Sequence, residues 1–355
     1  MTKQHFFCVG LLLLAAVQPN RAENSAQTFL TTAFQVSSAE LDRINAGQVV
    51  AHTLGATDPR EVATVGIVRI RVTPEFYAER LADIVTFKRT DDILQIGTFG
   101  DTPAVTDIAE LTLDEWDVRK LRECKVGNCA VQLSADAIDR FRKDVDWQRP
   151  DAQAQANRVM RQILVEYVTR YQDAGTAASM RYADQNETID VGREFASMLE
   201  ADVETWQHFR DLQRYLLHYP MERTPETSDI LYWSKERVSR RLVVSVTHLA
   251  ISRTTQGPSD YAIASKQIYG THYFDASLGL TVLVRDRSVS SPATYVVYLN
   301  RSRVDIFDGL FGGLARTIVS SRARSLVATQ LGRLQRSMEQ QFAQRAQPSA
   351  RNHVD

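Results

Sequence analysis

The chain has 355 residues, 44% of them hydrophobic and 24% charged, the balance of a globular protein large enough for one elaborated domain or two small ones. Its 42 basic and 43 acidic side chains leave a net charge of −1. That balance argues against a whole-protein nucleic-acid binder, which needs a clustered basic excess to neutralise phosphates.

The first 22 residues read as a secretory signal peptide: Lys3 supplies the positive start, Phe6 to Val17 an apolar core, and Gln18 to Ala22 a polar stretch ending in a small residue. The core is shorter than the roughly 20 apolar residues a membrane span requires. A secreted or periplasmic location follows as an expectation. Cleavage removes Cys8 and leaves Cys124 and Cys129 in CKVGNC. A lone pair around a Val-Gly-Asn turn, in an oxidising compartment, is most simply a disulfide. The spacing, without a second cysteine pair or a nearby histidine, does not build a zinc site, so no metal is expected.

Residues 23–37 are polar and read as a flexible leader, and the domain proper is expected over 38–345. SAELDRI gives a capped helix. VVAHTL and VATVGIVRIRV give two strands, and TPEFYAERLADIVTFK a helix with threonine as cap and proline at the first position. ILQIGTFG returns to strand. From about 103 to 225 the pattern turns helical. LTLDEWDVRKLREC is a helix whose Asp114, Glu115 and Asp117 form a solvated acidic face, CAVQLS a short strand, and SADAIDRFRKDV a second capped helix. Two long helices follow. Val159, Ile163, Tyr167, Val168 and Tyr171 form the apolar stripe of the first, and Phe195, Leu199, Val203, Trp206, Phe209 and Leu216 that of the second. This segment reads as an insertion or a separate helical layer packed on the sheet.

Strands return at LYWS, LVVSVTHLAIS, DYAIASKQIYGTHYFDASLGLTVLVR, broken by a turn or bulge at Gly270, and TYVVYLNRSRV. Both faces of LVVSVTHLAIS carry apolar residues, as in a sheet covered on both sides. Small residues, Ala262, Ala264, Ala276, Ser277 and Gly279, leave room beside one face for a ligand. Within these strands Tyr232, Trp233, His248, Lys266, His272, Asp275 and Asn300 are candidate ligand-binding residues, with Arg301 beside them. His248 with Tyr232 or Asp275 is the pair able to do acid–base work. No Gly-x-Ser-x-Gly, paired His-x-x-x-His or phosphate loop accompanies them, so neither a catalytic residue nor a cofactor is assigned.

A long helix from about Phe307 to Gln344 closes the pattern, its start rich in Phe307, Leu310, Phe311, Gly312 and Gly313, and a disordered basic tail is expected over 346–355. The order of elements over about 60–100 and 229–340 is similar to that of the helix-grip superfamily, the START-like or SRPBCC proteins that include lipid-transfer domains and polyketide cyclases. The resemblance implies an α+β fold in which a curved antiparallel sheet grips a long C-terminal helix, here with a helical hairpin inserted. It further implies a cavity for a lipid or another apolar small molecule, with the Phe307–Gly313 stretch as its gate. Arg316, Arg322, Arg324, Arg333 and Arg336 favour transient contact with an anionic membrane surface. Three functions are compatible with the residues: a carrier without chemistry, a cyclase- or hydrolase-like enzyme using His248 and Asp275, and an interaction module docking through the helical insertion, with its protein partner unspecified.

Overall fold

The computed structural model of the protein describes residues 23–304 and 312–346. The expected signal peptide, the gate residues Phe307, Leu310 and Phe311, and the tail from residue 347 lie outside the described residues; Gly312 and Gly313 begin the last helix.

Two helices open the described residues, α1 (Glu23–Ala33) and α2 (Ser38–Asn45), followed by β1 (Val50–Leu54), β2 (Glu61–Ile70), α3 (Pro74–Ala82), α4 (Ile84–Phe87) and β3 (Ile93–Thr98). The helical segment holds α5 (Glu115–Leu121), α6 (Ala135–Asp144), α7 (Ala152–Ala174), a ribbon of β4 (Arg181–Tyr182) and β5 (Ile189–Asp190), then α8 (Val191–Ala201), α9 (Val203–Trp206) and α10 (Arg210–His218). Five strands complete the sheet: β6 (Thr227–Val238), β7 (Arg241–Arg253), β8 (Tyr261–Gly270), β9 (Phe274–Arg285) and β10 (Thr294–Val304). The chain then forms α11 (Gly312–Ala346).

The fold is α+β, with an eight-stranded antiparallel sheet in the order β1-β2-β10-β9-β8-β7-β6-β3. Strand alternation divides its side chains between two cores. Val65, Ile67, Val246, Ala250, Leu280 and Val297 join one large cluster with the helical segment, α1 and α2. Val68, Ile70, Leu249, Ile263, Leu283 and Val296 join a smaller one with α3, α4 and α11. The helical segment is therefore a layer on the sheet rather than a separate domain.

Several local expectations are corrected. The leader is helical: Phe29 packs edge-on against Phe34, His208 and Phe209, and Ala26, Phe29 and Leu30 are buried, so its apolar residues at helical spacing outweigh its polar composition. CAVQLS is not a strand; Gln132 N donates to Thr271 O, and Leu133 O accepts from Ala183 N. The helix after Thr73 breaks at Asp83, whose carboxylate caps α4 through Thr86 N at 3.3 Å. The second long helix is three short ones, because Asp202 caps α9 in the same way and Val203 is exposed. Asp117 is buried rather than solvated. Cys124 and Cys129 form the expected disulfide.

At the end of α7, Gly175 has φ +53° and approaches so closely that a Cβ would lie 1.6 Å from the Tyr219 carbonyl oxygen. Only glycine fits there. No helix of the described residues is long and apolar enough to cross a membrane.

Candidate functional site

The helix-layer face of the sheet is filled. The opposite face is packed by α3, α4 and α11 except near its middle. In its centre Ser265, Gln267, Ser277, Thr281, Tyr298 and Asn300 remain half-buried, although the intervening residues of the same strands are buried against the helical layer. Register makes them one patch: Thr281 stands opposite Tyr298, Gly279 between Ser265 and Asn300, and Ser277 between Gln267 and Ser302. The hydroxyls satisfy one another in part, with Ser277 Oγ 2.8 Å from Ser302 Oγ and accepting from Asn300 Nδ2 at 3.4 Å.

Two walls flank this floor. On one side Lys88, following α4, lies over the Tyr232 ring at 5.3 Å and donates to Glu236 at 3.2 Å. Its ammonium is held protonated: burial opposes the charge, but Tyr232 and Glu236 outweigh it and raise the pKa. On the other side α11 runs along β2, burying Val327, Leu331 and Met338. Gln335 reaches Gly47 O and Arg69 O, so that flank of α11 faces β1. At 100° per residue the opposite flank carries Val319, Ala323, Leu326 and Leu334. Val319 and Ala323 pack with Val304 of β10, whereas Leu326 is 56% exposed. The half-buried polar patch thus lies on the sheet face that carries Lys88 over Tyr232 towards one edge and the α11 packing on β2 and Val304 towards the other.

The expected site residues do not converge there. Tyr232 and Asn300 lie on this face, Tyr232 buried and Asn300 half-buried. Trp233, His248, Lys266, His272 and Asp275 lie under or beside the helical layer. Trp233 Nε1 donates to Asp107 O at 2.8 Å. His248 meets neither Tyr232 nor Asp275. Its Nε2 is 2.8 Å from Asp229 Oδ1, its Nδ1 is 3.0 Å from the Tyr171 hydroxyl, and Tyr219 covers the ring at 4.4 Å between centroids. Asp229 also accepts from the Tyr215 hydroxyl at 2.7 Å.

Burial lowers the His248 pKa despite the hydrogen bond and charge of Asp229. Asp229 stays ionised because the His248 and Tyr215 hydrogen bonds and the nearby charges overcome its own burial. The network therefore assigns Nε2–H to Asp229 and leaves Nδ1 to accept from Tyr171. With no opening to solvent at His248, this is a brace between α7, α10, β6 and β7. Asp229→Ala is expected to destabilise the protein by about 2 kcal/mol in urea unfolding, because His248 Nε2 and the Tyr215 hydroxyl lose their acceptor. An unchanged midpoint would refute the brace.

Lys266 is likewise buried, 3.3 Å from Thr176 Oγ1 and 3.4 Å from Leu216 O, with the Phe195 and Tyr171 rings at 5.0 and 5.5 Å. Burial pushes its pKa down to about 8. Asp275 accepts from Arg60 at 3.3 Å and Gln132 at 3.4 Å. Arg301 bridges Glu61 at 2.6 Å and Asp202 at 2.9 Å, fastening β10 to the start of α9. The expected enzyme pair, His248 with Asp275, is thus not assembled.

His272 opens onto a different feature, a cleft of about 220 Å³ beside the disulfide, lined also by Trp116, Gln132, Asp184, Arg241 and Tyr273. Asp117 Oδ1 is 2.8 Å from His272 Nε2. Trp116 carries His272 at its edge and the Arg241 guanidinium 3.3 Å from its ring centroid. Sequence reading missed Asp229, Tyr171, Gln132 and Arg241. An aspartate at the start of LYWS offered a faint signal. A tyrosine in a helical stripe and an arginine in a basic turn offered none.

No family model matches the chain, and no curated protein sequence is significantly similar to it.

Proposed function

We propose that this is a secreted or periplasmic binding protein of helix-grip type, holding a lipid or related amphiphile in the groove between α11 and α4 without chemical turnover. The observation that supports this reading is the half-buried patch of Ser265, Gln267, Ser277, Thr281, Tyr298 and Asn300 on β8, β9 and β10, central strands whose other positions are mostly buried. A sheet centre is normally covered by apolar packing, so a half-buried polar one on the face that α11 packs against suits a ligand with a hydrogen-bonding end and an apolar end. An anionic headgroup would meet Lys88, whose charge is held by its surroundings. The exposed Arg322, Arg324, Arg333 and Arg336 on α11 supply an electrostatic reason to visit anionic bilayers, at about 1 kcal/mol per charge near the surface.

Native mass spectrometry of protein exported by its own host is expected to show a co-purified amphiphile. Leu326→Glu is expected to lower its occupancy at least threefold with no loss of fold by circular dichroism, since Leu326 is exposed. A mass equal to the bare chain, both as purified and after incubation with phosphatidylglycerol vesicles, would remove the proposal.

A further inference from the structure

The cleft beside the disulfide joins α5, the start of β7 and the β8–β9 turn, and two polar groups in its lining are left unused by the protein itself. The first is one nitrogen of His272. Asp117, whose side chain is 2% exposed, stands 2.8 Å from Nε2 and accepts its proton, which leaves the lone pair of the imidazole on Nδ1. Nδ1 has no partner among the described residues, yet it is not sealed as Gln132 Oε1 is, and 8% of the His272 side chain reaches solvent. The backbone that carries the ring is pinned at Thr271: its hydroxyl accepts from Val244 N at 3.0 Å, its N–H donates to Val244 O, and its carbonyl accepts from Gln132 N.

The second group is Arg241. Its guanidinium carbon stands 3.3 Å from the centroid of Trp116, the same indole that meets His272 edge-on at 5.8 Å between centroids. A guanidinium so close to a ring is stacked on it, which spends its faces and leaves the in-plane N–H groups as the fork that takes a carboxylate in two parallel hydrogen bonds. Among the described residues no ion pair or side-chain hydrogen bond uses that fork, and Arg241 is partly exposed. One indole therefore holds a donor fork beside an acceptor nitrogen. The other polar lining does not compete, because Gln132 Oε1 is sealed and the buried Asp184 is already engaged. With Asp117 and Asp184 both nearby, a single guanidinium compensates one ligand charge and not two.

We propose that this cleft binds a small 2-hydroxy acid, its carboxylate on the Arg241 fork and its hydroxyl donating to His272 Nδ1. The two groups together ask for a monoanion and an O–H donor in one compact molecule, and a volume of about 220 Å³ admits that but not a lipid. The site does not rest on the amphiphile reading, and either can fail without the other.

The test is calorimetric titration of the whole mature protein with glycolate and both enantiomers of lactate, against acetate, which lacks the hydroxyl, and methyl glycolate, which lacks the charge. At least one of the hydroxy acids is expected to bind, with acetate and methyl glycolate each at least tenfold weaker. Arg241→Lys keeps the charge but not the fork and should weaken the hydroxy acid at least tenfold; Arg241 is partly exposed, so the fold is not at stake. His272→Gln keeps an amide donor for Asp117 and removes the acceptor nitrogen, so it should bring the hydroxy acid down to the level of acetate. Absence of binding by all three hydroxy acids, acetate binding equal to theirs, an Arg241→Lys variant that binds like the parent, or a folded His272→Gln variant that still prefers the hydroxyl would each overturn the proposal.

Discussion

Replacing Lys266 with methionine is expected to make the protein more stable at neutral pH, by about 1–2 kcal/mol in urea unfolding. The buried ammonium has no carboxylate within salt-bridge distance among the described residues, and burial pulls its pKa from 10.5 to about 8. That displacement corresponds to about 3 kcal/mol of unfavourable charge burial, partly offset by the bonds to Thr176 and Leu216, worth roughly 1 kcal/mol together. The sign in pH follows from proton counts. Between about pH 8 and 10.5 the unfolded chain holds the Lys266 proton and the folded chain has released it, so parent stability rises with pH across that window. Below pH 8 both forms are protonated and this contribution is flat. Lys266→Met should abolish the rise while leaving the rest of the profile in place. If the variant is less stable at pH 7 and keeps the slope, Lys266 is not the unpaired cation described.

A side chain placed at Gly66 is expected to unseat α11 while sparing the sheet. A Cβ there would come within 2.5 Å of Val327 and 2.6 Å of Leu331, the residues through which the helix sits on β2. Gly66→Val should cost about 2–3 kcal/mol, the scale of overpacking a filled contact. The loss should be local. Outside the Val327, Leu331 and Met338 stripe, α11 is held by Gln335 to Gly47 and Arg69, by Glu339 to Arg71 and by Phe342 against Phe76. Amide hydrogen exchange over 316–345 should accelerate at least tenfold, with β7, β8 and β9 unchanged. In the same variant binding of the proposed amphiphile should be lost, because the proposal places it against α11. Global acceleration instead would show that the helix is integral to the core.

The alternation of Val, Ile and Leu in β2 and β7 to β10 made the strands legible, since both sheet faces are apolar over most of their length. Residues at 3.6-residue spacing in α7 were equally clear. Breaks at Asp83 and Asp202 were not, because an aspartate inside a helical stripe reads as surface until its carboxylate is seen capping the next turn. The polar residues in the strands were correctly noticed as unusual, but alternation assigns a side chain to a face, not to a partner. His248 and Asn300 sit on opposite faces, and His248 draws its acceptor from Asp229, 19 positions away on the neighbouring strand. Of the half-buried polar patch, Asn300 and Ser277 were legible, whereas Ser265, Gln267 and Thr281 were not, because such residues on a strand look solvent-facing whether they meet bulk water or a sheltered surface.

The strand order carries a consequence for how the chain is made. β2 lies between β1 and β10, and among the described residues β3 pairs only with β6, so the whole helical segment and four further strands must be synthesised before the β1–β2 hairpin gains its second neighbour. During synthesis that hairpin and β3 are unprotected edges, and closure waits on contacts separated by more than 200 residues, such as Ile67 with Val297. Folding should accordingly be late and concerted, and a chain truncated before β10 should aggregate rather than persist as a smaller soluble unit.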